Sequence, residues 1–166
     1  MDKIRQIEFF IKGLILDPVY NSPVVILQDT AETTVLPIWI GVFEANAIAL
    51  EMEHVEAPRP MTHDLIRSIL SKLSAVLEKV VITDLVDSTY YAELHIRLIN
   101  QLQIVDSRPS DALAIAIRVG APVYVAEEVI RKSRSFSIAD KQQWSEDDMK
   151  KWLEGLSPDD LGQYKM

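Results

Sequence analysis

The hydrophobic pattern of this chain changes its period at Gly41, and that change restricts the folds available to it. Before Gly41, Ile7, Phe9 and Ile11 occupy alternate positions, which is typical of a β-strand with two unlike faces. After Gly41, apolar residues follow an i, i+3, i+4, i+7 spacing, which predicts a helix over roughly 43–54. The chain is therefore expected to begin with strands, arranged most economically as antiparallel hairpins, and to continue into a helix.

Turn residues and the same two periods divide the rest of the chain. The segment Ala57-Pro58-Arg59-Pro60 ends the first helix, since proline cannot continue a helix, and Thr62 is a suitable N-cap for a second one. The later predicted elements are strands at 80–82, 90–98, 102–105 and 122–125, and a third helix that opens at 106–111 and ends at Gly120. This order predicts an α+β fold: a mixed, largely antiparallel sheet with about three packed helices and a short C-terminal helix.

The last part of the chain differs from the rest, so we divide the sequence into a domain at residues 1–138 and a tail at residues 139–166. Helical spacing is shared by four apolar residues of the tail: Met149, Trp152, Leu153 and Leu156. They predict a short amphipathic helix that docks on its own domain or on a partner subunit. Together with the first helix, Trp144 and Trp152 of the tail suggest a homo-oligomer, with a dimer as the expected state.

Composition and charge exclude several classes of protein. The chain has 17 Lys and Arg against 25 Asp and Glu, and a net charge of −8 argues against non-specific coating of nucleic acid. It has no cysteine, which excludes disulfides, a thiol nucleophile, a zinc ribbon and an iron–sulfur cluster. The N-terminus has no apolar core of signal-peptide length, and no window approaches 18 uncharged apolar residues. No membrane segment is expected, and a cytoplasmic location is the default.

A polar motif stands where the second helix is predicted to begin. Its backbone N–H groups would form an anion site, to which Arg59 adds a forked phosphate donor. Next to it, His63 could move a proton and Asp64 could hold a divalent metal. The structural alternative is that Thr62 caps the helix, Asp64 complements its dipole and His63 lies on the surface.

A second motif, Asp106-Ser107-Arg108-Pro109-Ser110-Asp111, opens the third predicted helix. Its two carboxylates, Asp106 and Asp111, bracket Arg108, and metal-assisted phosphoryl chemistry uses such carboxylates for the ion and a cation for the phosphate. The alternative is a capped helix in which Arg108 pairs with a carboxylate. Glu44 lies near the start of the first helix, so three polar helix starts could converge at one end of the sheet.

Blocks of sequence in a fixed order resemble the bifunctional nuclease family, long listed as a bacterial domain of unknown function and also found in plants. The matching blocks are Leu36-Pro37-Ile38-Trp39-Ile40-Gly41 followed by Glu44-Ala45, Pro58-Arg59-Pro60-Met61-Thr62-His63-Asp64-Leu65, Thr89-Tyr90-Tyr91-Ala92, and Val105-Asp106-Ser107-Arg108-Pro109-Ser110-Asp111-Ala112. The chain departs from the family at His54 and Val55, near the end of the first helix, and at Ser74, after the second, where relatives often carry glycine. It also departs at Ser107, where alanine is common.

The resemblance implies a nuclease-like protein, since the family takes its name from members described as cleaving both RNA and DNA. Its polar motifs correspond here to Glu44, Arg59, Thr62, His63, Asp64, Asp106, Arg108, Ser110 and Asp111. The leading hypothesis is metal-dependent hydrolysis of phosphodiester bonds in RNA and DNA.

Each of these positions has an assigned role in that hypothesis. Asp64, Asp106 and Asp111, with Glu44, would hold Mg²⁺ or Mn²⁺, and His63 would act as general acid or base. The expected substrate-binding residues are Arg59, Thr62, Arg108 and Ser110. The alternative is a non-catalytic binding or oligomerisation module in which the two motifs are helix caps joined by ion pairs. Such a module could bind a small phosphorylated ligand.

Overall fold

The computed structural model describes residues 4–133, 136–137 and 145–154 of the 166-residue chain. Within these residues, eight strands and five helices follow one another along the chain. In order they are β1 (Gln6–Leu16), β2 (Pro23–Asp29), β3 (Thr34–Trp39), α1 (Val42–Met52), α2 (Thr62–Lys72), β4 (Ala75–Val86), β5 (Thr89–Leu98), β6 (Gln101–Ser107), α3 (Pro109–Val119), β7 (Val123–Ala126), α4 (Glu127–Lys132), β8 (Phe136–Ser137) and α5 (Glu146–Glu154).

The strands form a single sheet in the order β6-β5-β4-β7-β1-β2-β3-β8. Neighbouring strands are antiparallel except for β4 and β7, which are parallel. A parallel pair requires a crossover, and here the chain passes through β5, β6 and α3 between the two strands. This mixed, largely antiparallel sheet with its three longer helices confirms the α+β prediction.

A buried aspartate stabilises the first hairpins. Asp17, at the β1–β2 turn, accepts a hydrogen bond from the Val19 backbone N–H and another from the indole Nε1–H of Trp39, each of 2.8 Å. These two bonds satisfy a carboxylate that is fully buried. They connect the turn to the end of β3, just before α1 begins, and so help to position Gly41 and Glu44.

Helix α3 lies at the centre of the molecule, between β4 and β5 of the sheet and the helices α1 and α2. Residues 112–116 are all buried, because the helix is covered on two sides. Its alanines allow this close approach, and its N-terminal end carries Arg108 and Asp111.

Several boundaries differ from those predicted from the sequence. Thr62 is the first residue of α2, and the N-cap position belongs to Met61. Asp106 and Ser107 belong to β6, so α3 begins only at Pro109. The shift arises because β6 continues its ladder with β5 as far as Ser107. The predicted start of the third helix, at residue 106, was therefore three residues too early.

Helix α2 is more exposed than its pattern suggests. Leu65, Ile69 and Leu73 are exposed, while Ile66 and Leu70 pack against the core. No residue of α2 is fully buried. The apolar stripe of this helix is therefore wider than the surface that covers it.

Two residues that follow helices adopt the left-handed conformation. His54 has φ 54° after α1, and Ser74 has φ 54° after α2. Gly120, with φ 69°, takes the same conformation at the end of α3, as the sequence predicts. Glycine adopts this conformation without strain, whereas His54 and Ser74, which carry a Cβ, adopt it at some cost.

The tail is described only in part. Helix α5 confirms that the tail contains a helix, but Trp144 and Leu156 lie outside the described residues, as do the side chains of Trp152 and Leu153. The predicted tail contact and the division at residue 138 therefore stay predictions. Within the described part of the chain, no helix has both the length and the apolar character needed to span a bilayer.

Candidate active site at three helix starts

The first turns of α1, α2 and α3 meet through their side chains, as the sequence had suggested they could. Glu44 comes from α1, His63 from α2, and Asp111 from α3, with Arg108 in the N-cap position of α3. We call these four residues the helix-start cluster. Helix N-termini present free N–H groups and a partial positive charge, so their convergence favours negatively charged groups.

Asp111 and His63 form the centre of the cluster. His63 Nε2 lies 2.9 Å from Asp111 Oδ1, and the two side chains are 12% and 28% exposed. The hydrogen bond to His63, together with Arg108, lowers the pKa of Asp111 to about 2 against the opposing effect of burial. An ionised carboxylate only accepts hydrogen bonds, so His63 carries a proton on Nε2 and, in its neutral form, has Nδ1 as its basic nitrogen.

Arg108 connects the aspartate to the first helix. Its Nε and Nη2 donate to Asp111 over 2.7 and 3.1 Å, and its Nη1 donates to Glu44 Oε1 over 3.0 Å. The bidentate contact orients the guanidinium plane as well as adding charge. Because the Arg108 side chain is 44% exposed, solvent and ligands have access to one side of this ion pair network.

Two small residues shape the cluster. A methyl group on Gly41 would overlap the Glu44 carboxylate, so glycine leaves the space that this carboxylate occupies above the start of α1. Ser110 is almost fully buried at the second position of α3, and its Oγ has no hydrogen-bond partner among the described residues. A buried hydroxyl without a partner is unusual in a folded protein.

A second ion pair lies next to the cluster and includes a residue that the sequence analysis missed. Arg118 is only 2% exposed and donates to Asp64 over 2.8 Å, while two further 2.8 Å bonds reach the carbonyls of Ala47 and Ala114. The hydrogen bond from Arg118, followed by that from the Met61 N–H, lowers the pKa of Asp64. One buried arginine thus connects all three helices.

The remaining predicted residues lie apart from the cluster. Arg59 lines a polar cleft of about 310 Å³ between the end of α1 and α2, together with Arg67, His54 and Asp64. Thr62 is exposed at the first position of α2. Asp106 is exposed on β6, and the register places it opposite Glu93 of β5 rather than beside Asp111.

The carboxylates do not fit a shared metal site in this arrangement. Among the described residues, no group of three or more His, Asp or Glu side chains is placed to hold one ion. Glu44 and Asp111 bond to Arg108, and Asp64 bonds to Arg118, so each already has a cationic partner. A divalent ion would have to displace these arginines, and the predicted Mg²⁺ or Mn²⁺ dependence stays a prediction.

Comparison with known proteins identifies the family. A family model described as the bifunctional nuclease domain matches residues 25–137. The chain belongs to the bifunctional nuclease domain family. It is 41% identical over 163 residues to an uncharacterized protein of Mycobacterium tuberculosis, a match that covers 93% of this chain and 97% of that protein.

Plant members of the family are more distant. Bifunctional nuclease 1 of Oryza sativa subsp. indica is 23% identical over 116 residues, which cover 68% of this chain and 35% of the rice protein. Bifunctional nuclease 2 of Arabidopsis thaliana is 26% identical over 108 residues, or 63% of this chain and 33% of that protein. These comparisons confirm the family resemblance seen in the sequence motifs.

The matched bifunctional nuclease domain contains every residue of the helix-start cluster, and the buried Arg118 as well. Strand β7 and helix α4 also lie inside it, whereas all of β1 and all of α5 lie outside. The two ion pair networks therefore lie within the matched part of the chain and not in the flanking segments.

Proposed function

We propose that this protein hydrolyses phosphodiester bonds of nucleic acid at the helix-start cluster. The observation that carries the proposal is the partly buried His63–Asp111 pair beside Arg108, at the point where three helix N-termini meet. This arrangement combines a histidine of fixed orientation, an ionised carboxylate and a phosphate-binding cation. The family, whose plant members are named bifunctional nucleases, supports the same reaction class.

In the proposed reaction, His63 moves the proton. Nδ1 of the neutral ring accepts a proton from an attacking water as its oxygen bonds to phosphorus, and the same proton then passes to the leaving oxygen when its P–O bond breaks. Asp111 stays ionised throughout and stabilises the imidazolium that forms. Arg108 stabilises the charge on the phosphate oxygens by exchanging its exposed contact with Glu44 for one with the phosphate.

The surroundings of the cluster offer contacts for the rest of a substrate. Phe43, next to Glu44 on α1, is 88% exposed, and an exposed ring is a platform on which a base of a single strand can stack. Arg59, in the neighbouring cleft, would bind a further phosphate. Thr62 is exposed at the first turn of α2, where its hydroxyl can bond to a phosphate oxygen, whereas the hydroxyl of Ser110 is buried in the first turn of α3.

The protein chain itself supplies a matched control for the experiment. His63→Gln keeps an N–H donor for Asp111 but removes the basic nitrogen. His95→Gln makes the same change at a histidine that bonds to Glu93 over 3.2 Å, on a strand outside the cluster. Both variants and the parent are incubated with labelled single-stranded RNA and DNA in Mg²⁺, Mn²⁺ or EDTA.

Cleavage by the parent and by His95→Gln, with a loss of at least about a hundredfold in His63→Gln, is the expected result. Equal cleavage by all three proteins would show that the activity lies elsewhere or is a contaminant. The EDTA arm tests the metal requirement separately, since cleavage that persists in EDTA contradicts it.

A second candidate is a non-catalytic module, favoured by the way the ion pairs join α1, α2 and α3. Arg108 and Arg118 each bond to residues of two or more helices, as expected of groups that hold a structure together. Binding of oligonucleotides without any cleavage, in all metals tested, would establish this candidate instead.

A further inference from the structure

Strand β6 forms one end of the sheet, and its outer backbone edge pairs with no other strand in the part of the chain that the structure describes. Residues 101–106 are all exposed, although three of them are apolar: Leu102, Ile104 and Val105. Ile104 has 57% of its surface exposed. A strand edge with unpaired N–H and C=O groups and apolar side chains is a template for another strand.

The edge of β6 carries one charge, Asp106 near its end, and lacks the other features that usually prevent such pairing. Its seven residues include no lysine, arginine or proline, and its register with β5 runs from Gln101 to Ser107 without a bulge. The other end of the sheet is formed by β8, which has only two residues. Since proteins normally protect long edges with several charges, proline or bulges, an edge of this length with a single charge favours a partner strand.

We propose that β6 pairs in an antiparallel manner with β6 of a second copy of this chain, so that two sheets join across a two-fold axis near Ile104. Such a contact is self-complementary, because each copy contributes the same surface. The proposal does not depend on the nuclease hypothesis.

Charge along the edge favours this orientation. At one end of the β5–β6 pair, the acidic residues Glu93 and Asp106 lie opposite each other, and at the other end Leu102 lies opposite Arg97. In an antiparallel copy centred on Ile104, the end of the β5–β6 pair that carries Glu93 and Asp106 lies beside the end that carries Arg97 in the other chain. A parallel copy would instead bring acidic residues together, which destabilises strand pairing.

Arg97 retains a donor for this contact. It donates to Glu78 through Nε and Nη2, and its Nη1 has no hydrogen bond among the residues that the structure describes. Asp106, which the sequence analysis assigned to a metal site, would then have an intermolecular role at the edge of the interface. The end of β6 and the start of α3 lie between Asp106 and Asp111 in the sequence.

The apolar surface extends beyond the strand itself. A stable interface usually buries roughly 800 Å² on each partner, which is more than one strand supplies. Val76, in register with Arg97, is 60% exposed, and Leu98 and Ile99 are exposed beside the start of β6. These residues would enlarge the contact around the paired strands.

Light scattering after size-exclusion chromatography tests the proposal on the full chain. The parent is expected to be a dimer at micromolar concentration, and Ile104→Lys is expected to be a monomer with an unchanged circular dichroism spectrum. Val19→Lys is the matched control, since Val19 is 54% exposed in the turn after β1, far from β6 along the sheet, and should leave the dimer intact.

The absence of native cysteine allows a positional test. Pairing centred on Ile104 places the two copies of this residue directly opposite each other, so Ile104→Cys should form an intermolecular disulfide under mild oxidation, while Val19→Cys should not. A monomeric parent would overturn the proposal. So would a dimer that survives Ile104→Lys and does not form a disulfide through Ile104→Cys, a result that would direct attention to α1 and the tail.

Discussion

The ionised state of Asp111 should make a measurable contribution to stability, and Asp111→Asn removes it. In the folded chain, the hydrogen bond from His63 and the contact with Arg108 stabilise the carboxylate form and lower its pKa from 3.8 to about 2. At about 1.4 kcal/mol for each pKa unit, this difference corresponds to roughly 2 kcal/mol of folding stability.

The sign of the effect fixes its pH dependence. Because the pKa of Asp111 is lower in the folded chain than in the unfolded chain, the contribution is complete above about pH 4 and declines as pH falls towards 2. We therefore expect Asp111→Asn to be less stable than the parent by about 2 kcal/mol at pH 7. The difference should shrink steadily between pH 4 and pH 2.

Urea unfolding followed by circular dichroism, at intervals from pH 7 to pH 2.5, measures this difference directly. Asp87→Asn is the control, because Asp87 is exposed in the β4–β5 turn and asparagine accepts its left-handed backbone. The control should differ little from the parent at any pH. A difference between the parent and Asp111→Asn that stays constant across the range would refute the assignment of the stabilisation to the charged carboxylate.

Three further predictions concern neighbouring residues. Arg118→Met should cost about 3–5 kcal/mol of unfolding free energy, because it leaves Asp64 partly buried without its cation, and urea unfolding measures the loss. Phe43→Ala should weaken binding of single-stranded oligonucleotides by about 1–3 kcal/mol and leave folding unchanged, which fluorescence anisotropy and melting curves test together. Ser74→Gly should raise stability by about 0.5–1 kcal/mol, because it removes a strained left-handed residue, and a lower melting temperature would contradict this.

The sequence predicts much of this fold because local patterns decide it. The strand alternation of β1 and β5 and the glycine that ends α3 depend on neighbours along the chain, and they are found where predicted. The parallel pairing of β4 with β7 depends on distant segments and left no local signal.

The candidate site was predicted only in part, for a related reason. His63, Arg108 and Asp111 stand in polar motifs and meet in space, but Asp106 shares a motif with Asp111 and points to a different surface because β6 ends between them. Arg118 lies in an apolar helix and belongs to no motif. A lone charge in such a run is itself a signal, because a buried arginine requires a buried or semi-buried partner.

The unequal burial of α2 and α3 has a consequence for how the cluster would respond to a bound substrate. Asp111 belongs to a helix enclosed on both sides, whereas His63 belongs to a helix with no fully buried residue. Local opening costs least where few apolar contacts are broken, so α2 is expected to exchange its amide hydrogens much faster than α3. Of the two residues in the His63–Asp111 pair, Asp111 would then lie on the more rigid helix, and His63 would lie on the helix that opens more readily.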